Sequence, residues 1–367
     1  MAKYNAYGQF HLRLPDASYP IYINRQGLYC PEVLRELIHS PQLLIITNNT
    51  IAPHYLSVVA SAFSEKQCDT LILEDGEQYK NLSSLQTIFE CLITHGHHRD
   101  TTIVALGGGV IGDIAGFAAA TYQRGVKFVQ IPTTLLAQVD SSIGGKTAIN
   151  HAQGKNIIGS FYQPQAVYID VNTLTTLPAR EFRAGLGEII KYGLLVGGVF
   201  LDELRQLLAR GINPQTPELP KLIEQCCRIK ASFVESDEKE QGSRALLNLG
   251  HTFAHALESY TQYTRWLHGE AVAIGLYCAS LLSYEAGFAA ADLVELVAEM
   301  LQNAELNYKI PQDINLSTLR DLMSLDKKVQ AQRLRFILLK KPGDCFIAEH
   351  IREQELNQVL LAAVEGE

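Results

Sequence analysis

The chain predicts two parts, an α/β half built on a parallel sheet and a mostly α-helical half, and three observations carry that reading. The first half alternates short β-branched runs with helical patterns, as a parallel sheet joined by crossover helices requires. After Pro178 the pattern changes to long helical stretches. The length of 367 residues, 47% hydrophobic, fills about two cores of ~150 residues each. The expected boundary divides residues 1–177 from residues 178–367.

Residues 43–47, 71–73, 101–106, 128–131 and 167–169 are short β-branched runs, each read as a buried strand. Residues 51–63 and 82–95 supply helices between the earlier strands. From Glu181 onward the helical pattern is interrupted at 211–220, 237–242 and 261–266. Residues 334–339 and 345–351, joined by Lys341-Pro342-Gly343-Asp344, read as a small late hairpin.

Charge narrows the function. With 31 Lys+Arg against 39 Asp+Glu, the formal net charge is −8. A general nucleic-acid binder or a membrane-surface protein needs a positive field, so both are excluded, and a small anionic ligand must meet a local cluster of positive side chains. Cys30, Cys68, Cys91, Cys226, Cys227, Cys278 and Cys345 are scattered without a C-x-x-C pair. That pattern fits a reducing compartment, with no disulfide framework and no cysteine zinc site. Residues 1–15 carry no continuous apolar stretch, and residues 271–282 are too few to span a bilayer. A cytoplasmic protein with no membrane or nucleic-acid partner is expected.

Three motifs point to chemistry. The strand at 101–106 runs into Gly107-Gly108-Gly109-Val110-Ile111-Gly112-Asp113 and an apolar helix. Glycines let backbone approach a ligand, and a helix N-terminus offers N–H groups to phosphate. The spacing is not G-x-G-x-x-G, so pyrophosphate binding is expected without the usual dinucleotide fingerprint. Asp140-Ser141-Ser142-Ile143-Gly144-Gly145-Lys146-Thr147 ends like a P-loop but has Asp140 where that pattern needs glycine, and no strand immediately precedes it. It reads as a polar loop for an oxyanion. His251 and His255 stand four apart on one helical face, a spacing that suits zinc or a ligand beside a proton shuttle. His268 opens the next apolar helix, and Glu188 is a carboxylate among apolar neighbours, costly unless paired or bound to a cation. His95, His97 and His98 read as a solvated loop. Arg124, Lys146, Lys155, Lys191, Lys230, Arg244, Lys327 and Lys328 recur near these motifs.

Taken together the motifs resemble the 3-dehydroquinate synthase family of sugar phosphate cyclases. The resemblance rests on residues 75–80, 107–113, 131–147, 154–156, 188–193, 230–242, 244–258 and 266–270, in that order along the chain. It implies a Rossmann-like N-terminal domain, a mostly helical C-terminal domain, a homodimer, NAD, and a divalent metal, zinc with cobalt as an alternative. It also implies metal ligation by Glu188, His251 and His268, leaving His255 beside the substrate. Implied NAD contacts are Asp75, Glu77, Lys80, Gly108, Gly109, Val110, Ile111, Gly112, Asp113, Thr133, Thr134, Lys146, Lys155, Thr173, Leu174, Thr175 and Thr176. Implied catalytic and substrate residues are Arg124, Asp140, Lys146, Asn156, Lys191, Lys230, Glu240, Arg244, Asn248, His255 and one of Lys327 or Lys328, with Lys328 favoured.

The implied substrate is 3-deoxy-D-arabino-heptulosonate 7-phosphate. The implied reaction oxidises C5, eliminates phosphate, restores the hydride, opens the ring and closes a carbocycle by internal aldol addition. Alternatives are a related cyclase with another product and a metal-dependent polyol dehydrogenase; Lys230, Glu240 and Arg244 favour the dehydroquinate reading. Ala254 and Gln332 stand where the family commonly has glycine.

Overall fold

A computed structural model of the chain describes residues 5–325 and 335–366. The chain forms two compact units, one of Met1–Pro178 with Pro214–Lys239 and one of Ala179–Asn213 with Glu240–Glu367.

The first unit begins with an antiparallel pair, β1 (Asn5–Leu12) and β2 (Tyr19–Arg25). There follow α1 (Pro31–Leu37), β3 (Gln42–Asn48), α2 (Ala52–Ser61), β4 (Gln67–Leu73), α3 (Leu82–Thr94), β5 (Thr102–Gly107) and α4 (Gly109–Thr121). Next come β6 (Lys127–Pro132), β7 (Lys146–His151), β8 (Gly154–Phe161) and β9 (Ala166–Asp170). Among the described residues, seven strands form a sheet in the order β1-β2-β9-β6-β5-β3-β4, parallel from β2 onward. The five runs read from the sequence are β3, β4, β5, β6 and β9. The β7–β8 hairpin is separate.

β5 is buried along its whole length. Ile103 joins the core of α3 and α4 with Ile88, Ile114 and Phe128, while Val104 joins that of α1 and α2 with Leu34, Tyr55 and Val59. Cover on both faces explains why the strand reads as a continuous apolar run. α4 lies close to both the sheet and the β7–β8 hairpin because it is built of small residues: a Cβ at Gly112 would sit 2.8 Å from Gln130 Oε1 of β6, and one at Gly116 would sit 2.5 Å from Thr147 Cγ2 of β7.

The chain then runs through α5 (Ala179–Val196) and α6 (Gly198–Arg210) of the second unit and returns to the first as α7 (Leu219–Ser236). A single cut at 177/178 therefore misplaces residues 214–239. α7 is held on the first unit: Cys227 Sγ lies 3.2 Å from Gln138 O, Arg228 stacks over Phe10 at 4.4 Å, and Glu235 accepts a 2.7 Å hydrogen bond from Arg13 N. A helical period has the same appearance whichever body covers it.

In the second unit come α8 (His251–Tyr260), α9 (His268–Glu285), α10 (Ala291–Asn303), α11 (Leu316–Leu325), the pair β10 (Phe336–Lys341) and β11 (Asp344–Ala348), and α12 (Glu353–Ala362). The late hairpin is thus present, with its second strand ending at Ala348; Leu334 lies outside the described residues. α9 is buried from Ala271 through Ser283 because α5, α8, α10, α12 and β10 surround it, and a helix apolar all round is a core helix. Among the described residues no helix is long and apolar enough to cross a membrane.

Candidate active site

Three helices of the second unit each bring one donor to the same place. Glu188 is fully buried in the middle of α5; His251 opens α8 and His268 opens α9. Glu188 Oε1 lies 3.6 Å from His251 Nε2 and 3.4 Å from His268 Nε2, and the three donor atoms all fall within 4.8 Å of one another. Zinc bonds of about 2.0–2.1 Å at tetrahedral angles place neighbouring ligand atoms about 3.4 Å apart, so this set fits the shell of one ion. Glu188 Oε2 pairs with Lys191 Nζ, a residue 2% exposed.

Helix packing enforces the triangle. Each donor stands beside a glycine: Gly187, Gly250 and Gly269. A Cβ at Gly269 would overlap the Ala184 carbonyl of α5, one at Gly187 would overlap the Gly269 carbonyl, and one at Gly250 (φ 79°) would sit 2.8 Å from Leu276 N. The helices therefore touch backbone to backbone where the donors project.

The outer ring nitrogens are engaged as well. His251 Nδ1 lies 3.1 Å from the Leu249 carbonyl, and His268 Nδ1 lies 3.3 Å from Glu258 Oε1. Burial and the Lys191 ammonium push His251 down to about 3, leaving it neutral. Burial acts on His268 in the same direction, but the Glu258 and Glu188 carboxylates outweigh it and raise that ring to about 10. The position between those carboxylates thus favours positive charge. His255 is next to the triangle, its ring centroid 5.4 Å from that of His251, but outside the donor set. The i,i+4 spacing alone would pair His251 with His255; a second helix supplies His268 instead.

The first unit holds a separate polar cluster. Lys80 is 4% exposed, with Nζ 2.5 Å from Asp113 Oδ2, 2.6 Å from Asn156 Oδ1 and 4.0 Å from Glu77 Oε1. Lys155 Nζ is 3.8 Å from the same Glu77 oxygen, which accepts a 2.7 Å bond from Asn150 Nδ2. Burial raises the Asp113 carboxyl while Lys80 opposes the shift. Asp113 is the fifth residue of α4, deeper than a first-turn position. Above it, Gly108 and Gly109 are walled by Thr134 and Ser141, whose side chains would meet a Cβ at 2.9 and 3.0 Å. Thr133 N extends the ladder to Gly107 O at 3.0 Å.

Several other expected cofactor residues have structural work. Asp75 accepts from Asn48 Nδ2 and Thr50 Oγ1, both at 2.7 Å. Ile111, Thr173 and Leu174 are buried in the core, Thr175 donates to Asn172 O, and Thr176 bonds the Tyr55 hydroxyl at 2.6 Å; Val110 is half-buried.

Of the expected substrate residues, Asp140 lies in a π-helical segment, Ala137–Ser141, and Lys230 Nζ reaches its carbonyl at 2.7 Å and its Oδ1 at 2.9 Å. Single π-turns are frequent at functional sites. Glu240 Oε1 accepts from Asn248 Nδ2 at 2.5 Å, and Arg244 is 1% exposed. Lys146 is the exposed first residue of β7. Arg124, Asn156 and Glu240 have φ of 66°, 56° and 57°, a left-handed backbone that Asn adopts readily and that is costly for Arg and Glu. Lys327, Lys328 and Gln332 lie outside the described residues. Ala254 is fully buried within a regular turn of α8.

Two residues escaped sequence reasoning: Asn150, which ties Glu77 to Asn156 N at 3.0 Å, and Glu258. The one available signal for Glu258 was its place seven residues beyond His251, on the same helical face. The expectation for His97 is corrected. It is 2% exposed, with Nδ1 2.8 Å from Thr101 Oγ1 and Nε2 3.2 Å from Asp69 Oδ2, because the loop folds back over the end of β4; His95 and His98 are exposed.

An α/β unit with a glycine turn at a helix N-terminus, and a helical unit presenting two imidazoles and a carboxylate, define a class of metal-dependent enzyme with a nucleotide-binding type of fold. Comparison with known proteins is specific. Residues 70–184 match the family model described as 3-dehydroquinate synthase N-terminal, and residues 185–329 match that described as 3-dehydroquinate synthase C-terminal. The chain belongs to the 3-dehydroquinate synthase family. It is 59% identical over 367 residues to the 3-dehydroquinate synthase of Legionella pneumophila (strain Lens), covering 100% of both chains. A crystal structure of 2-deoxy-scyllo-inosose synthase with carbaglucose-6-phosphate, NAD+ and Co2+ matches with TM-score 0.88 at 25% identity, over 97% of this chain and 100% of the other. The 2-epi-5-epi-valiolone synthase of Streptomyces hygroscopicus with NAD+ and Zn2+ shares the fold, with TM-score 0.85 at 24% identity over 96% and 98%.

Proposed function

We propose that this chain converts 3-deoxy-D-arabino-heptulosonate 7-phosphate into 3-dehydroquinate and phosphate. The observation that carries the reading is the Glu188–His251–His268 triangle, held by three glycine contacts in a chain 59% identical throughout to a 3-dehydroquinate synthase. Glu188, His251 and His268 would hold a divalent metal, zinc or cobalt. Glu77, Lys80, Asp113, Lys155 and the turn at Gly108 and Gly109 would hold NAD. When bound, the metal supplies a Lewis acid for substrate hydroxyls and NAD a reversible hydride acceptor.

The chain's own side chains do the rest. Lys191, buried against Glu188, would bind a substrate oxygen beside the metal donors. His255, adjacent to the donors but outside their set, would move protons. Once C5 is a ketone the neighbouring C–H is acidic, and its loss expels phosphate; after re-reduction the ring opens and an internal aldol addition closes the carbocycle. Lys146, Arg124 and Asn156 would orient phosphate, while Lys230, Arg244, Glu240 and Asn248 would hold the carboxylate and hydroxyls. Charge-assisted bonds of this kind keep one conformer through successive steps. We further assign residues 1–177 to the NAD-binding domain with α7 added, and 178–367 to the metal domain without it.

A homodimer in the cytoplasm completes the reading; seven cysteines with free thiols support a reducing compartment. Identity of 59% to the synthase against 25% to a related cyclase favours the dehydroquinate product. The test supplies NAD, zinc and the heptulosonate phosphate and follows phosphate and NADH absorbance together. Stoichiometric phosphate and dehydroquinate without net NADH is expected. Lasting NADH would indicate a polyol dehydrogenase, and absence of phosphate release would remove the cyclase reading.

A further inference from the structure

We propose that Glu258 is a positioning residue for the metal centre: its carboxylate selects the His268 tautomer and ring orientation that present Nε2 to the ion. This rests on the reading of Glu188, His251 and His268 as ligands.

Glu258 is 2% exposed, and a buried carboxylate is costly unless it is engaged. It lies on α8, seven residues beyond His251, so one helix carries both a donor and the group that faces a donor from another helix. Glu258 Oε1 is 3.3 Å from His268 Nδ1, and Nε2 of the same ring is 3.4 Å from Glu188 Oε1. A neutral imidazole has one N–H and one lone pair to divide between its nitrogens, and an ionised carboxylate can only accept. With Glu258 taking the Nδ1 hydrogen, the lone pair is on Nε2, on the side of Glu188 and His251. The charged acceptor also makes His268 a more basic ligand than His251, whose Nδ1 faces the neutral Leu249 carbonyl.

Two measurements test this in the full chain. In zinc-loaded protein with 15N-labelled histidine, long-range 1H–15N spectra are expected to show His268 protonated at Nδ1 and bound through Nε2; zinc on Nδ1 would overturn the proposal, and no variant is needed. Zinc competition against a chelator is expected to show Glu258→Gln weaker by about 10–100-fold. The same change in a His268→Ala background should then add no further loss. An equal loss in both backgrounds, or none in either, would overturn the positioning role while leaving the metal reading in place. A wild-type chain that takes up no zinc or cobalt would overturn the metal reading itself.

Discussion

Replacing Gly269 by alanine should cost the enzyme its metal through geometry alone. The added Cβ would overlap the Ala184 carbonyl oxygen. To restore ordinary van der Waals separation, the start of α9 and the neighbouring turn of α5 must part by roughly 1.5 Å. His268 is the adjacent residue and Glu188 is four residues beyond Ala184, so the movement is carried directly to two donors. Their present separation of 3.4 Å would become roughly 5 Å, whereas bonds of about 2.1 Å let one ion span at most about 4.2 Å between two ligands. Overpacking of this kind costs about 1–3 kcal/mol, so the variant should fold with a melting temperature lowered by several degrees. Metal analysis after dialysis and zinc titration of the refolded protein provide the assay. Expected are sub-stoichiometric zinc and an affinity at least about 100-fold weaker. A folded Gly269→Ala protein with wild-type zinc affinity would refute the claim that backbone contact sets the donor triangle.

Other variants separate the roles. His268→Ala should lose zinc on dialysis, whereas His255→Ala should keep it and lose turnover; metal content and rate measured on the same samples check both, and normal zinc in both variants would overturn the ligand assignment. Lys80→Met removes the ammonium from Asp113 and Asn156. NAD affinity by titration should fall at least about tenfold, with stability lowered by up to about 3 kcal/mol because Asp113 remains in place. His97 is held below its ordinary value of 6.5 by burial, against the pull of Asp69. The folded state then binds fewer protons than the unfolded chain, so the penalty is absent well above pH 6.5 and grows as pH falls toward the folded value, by at most about 1.4 kcal/mol per unit. Urea midpoints at about pH 7 and pH 5 should therefore differ less in His97→Gln than in wild type.

The physical origin of each feature decides whether it is legible in one sequence. Strands β3 and β5 are legible because cover on both faces forces apolar runs, and the start of α4 because a helix cannot leave a strand so tightly without Gly107, Gly108 and Gly109. What escapes is set between elements. Nothing in the period of α7 distinguishes packing on the sheet from packing on α9. His97 appears solvated until the loop folds over Asp69, and Asn150 and Asn156 meet Lys80 only once β7 and β8 pair.

The donor set lies on this divide. Spacing along one helix can nominate His251 with His255, since both are on α8, but it carries no information about α9. Glu188, His251 and His268 nevertheless share a local mark, a glycine immediately beside each, and in the fold those glycines are where one backbone meets another. A side chain next to such a contact is held at a fixed distance from the partner helix, with little freedom to relax. Metal binding requires separations controlled to a few tenths of an ångström. In this chain a glycine beside a histidine or buried carboxylate therefore reports a close contact between helices, whereas i,i+4 spacing reports only a shared face. His268 stands at such a contact through Gly269, while His255, between Ala254 and Ala256, does not, and the separation of the three side chains is set where α5, α8 and α9 meet.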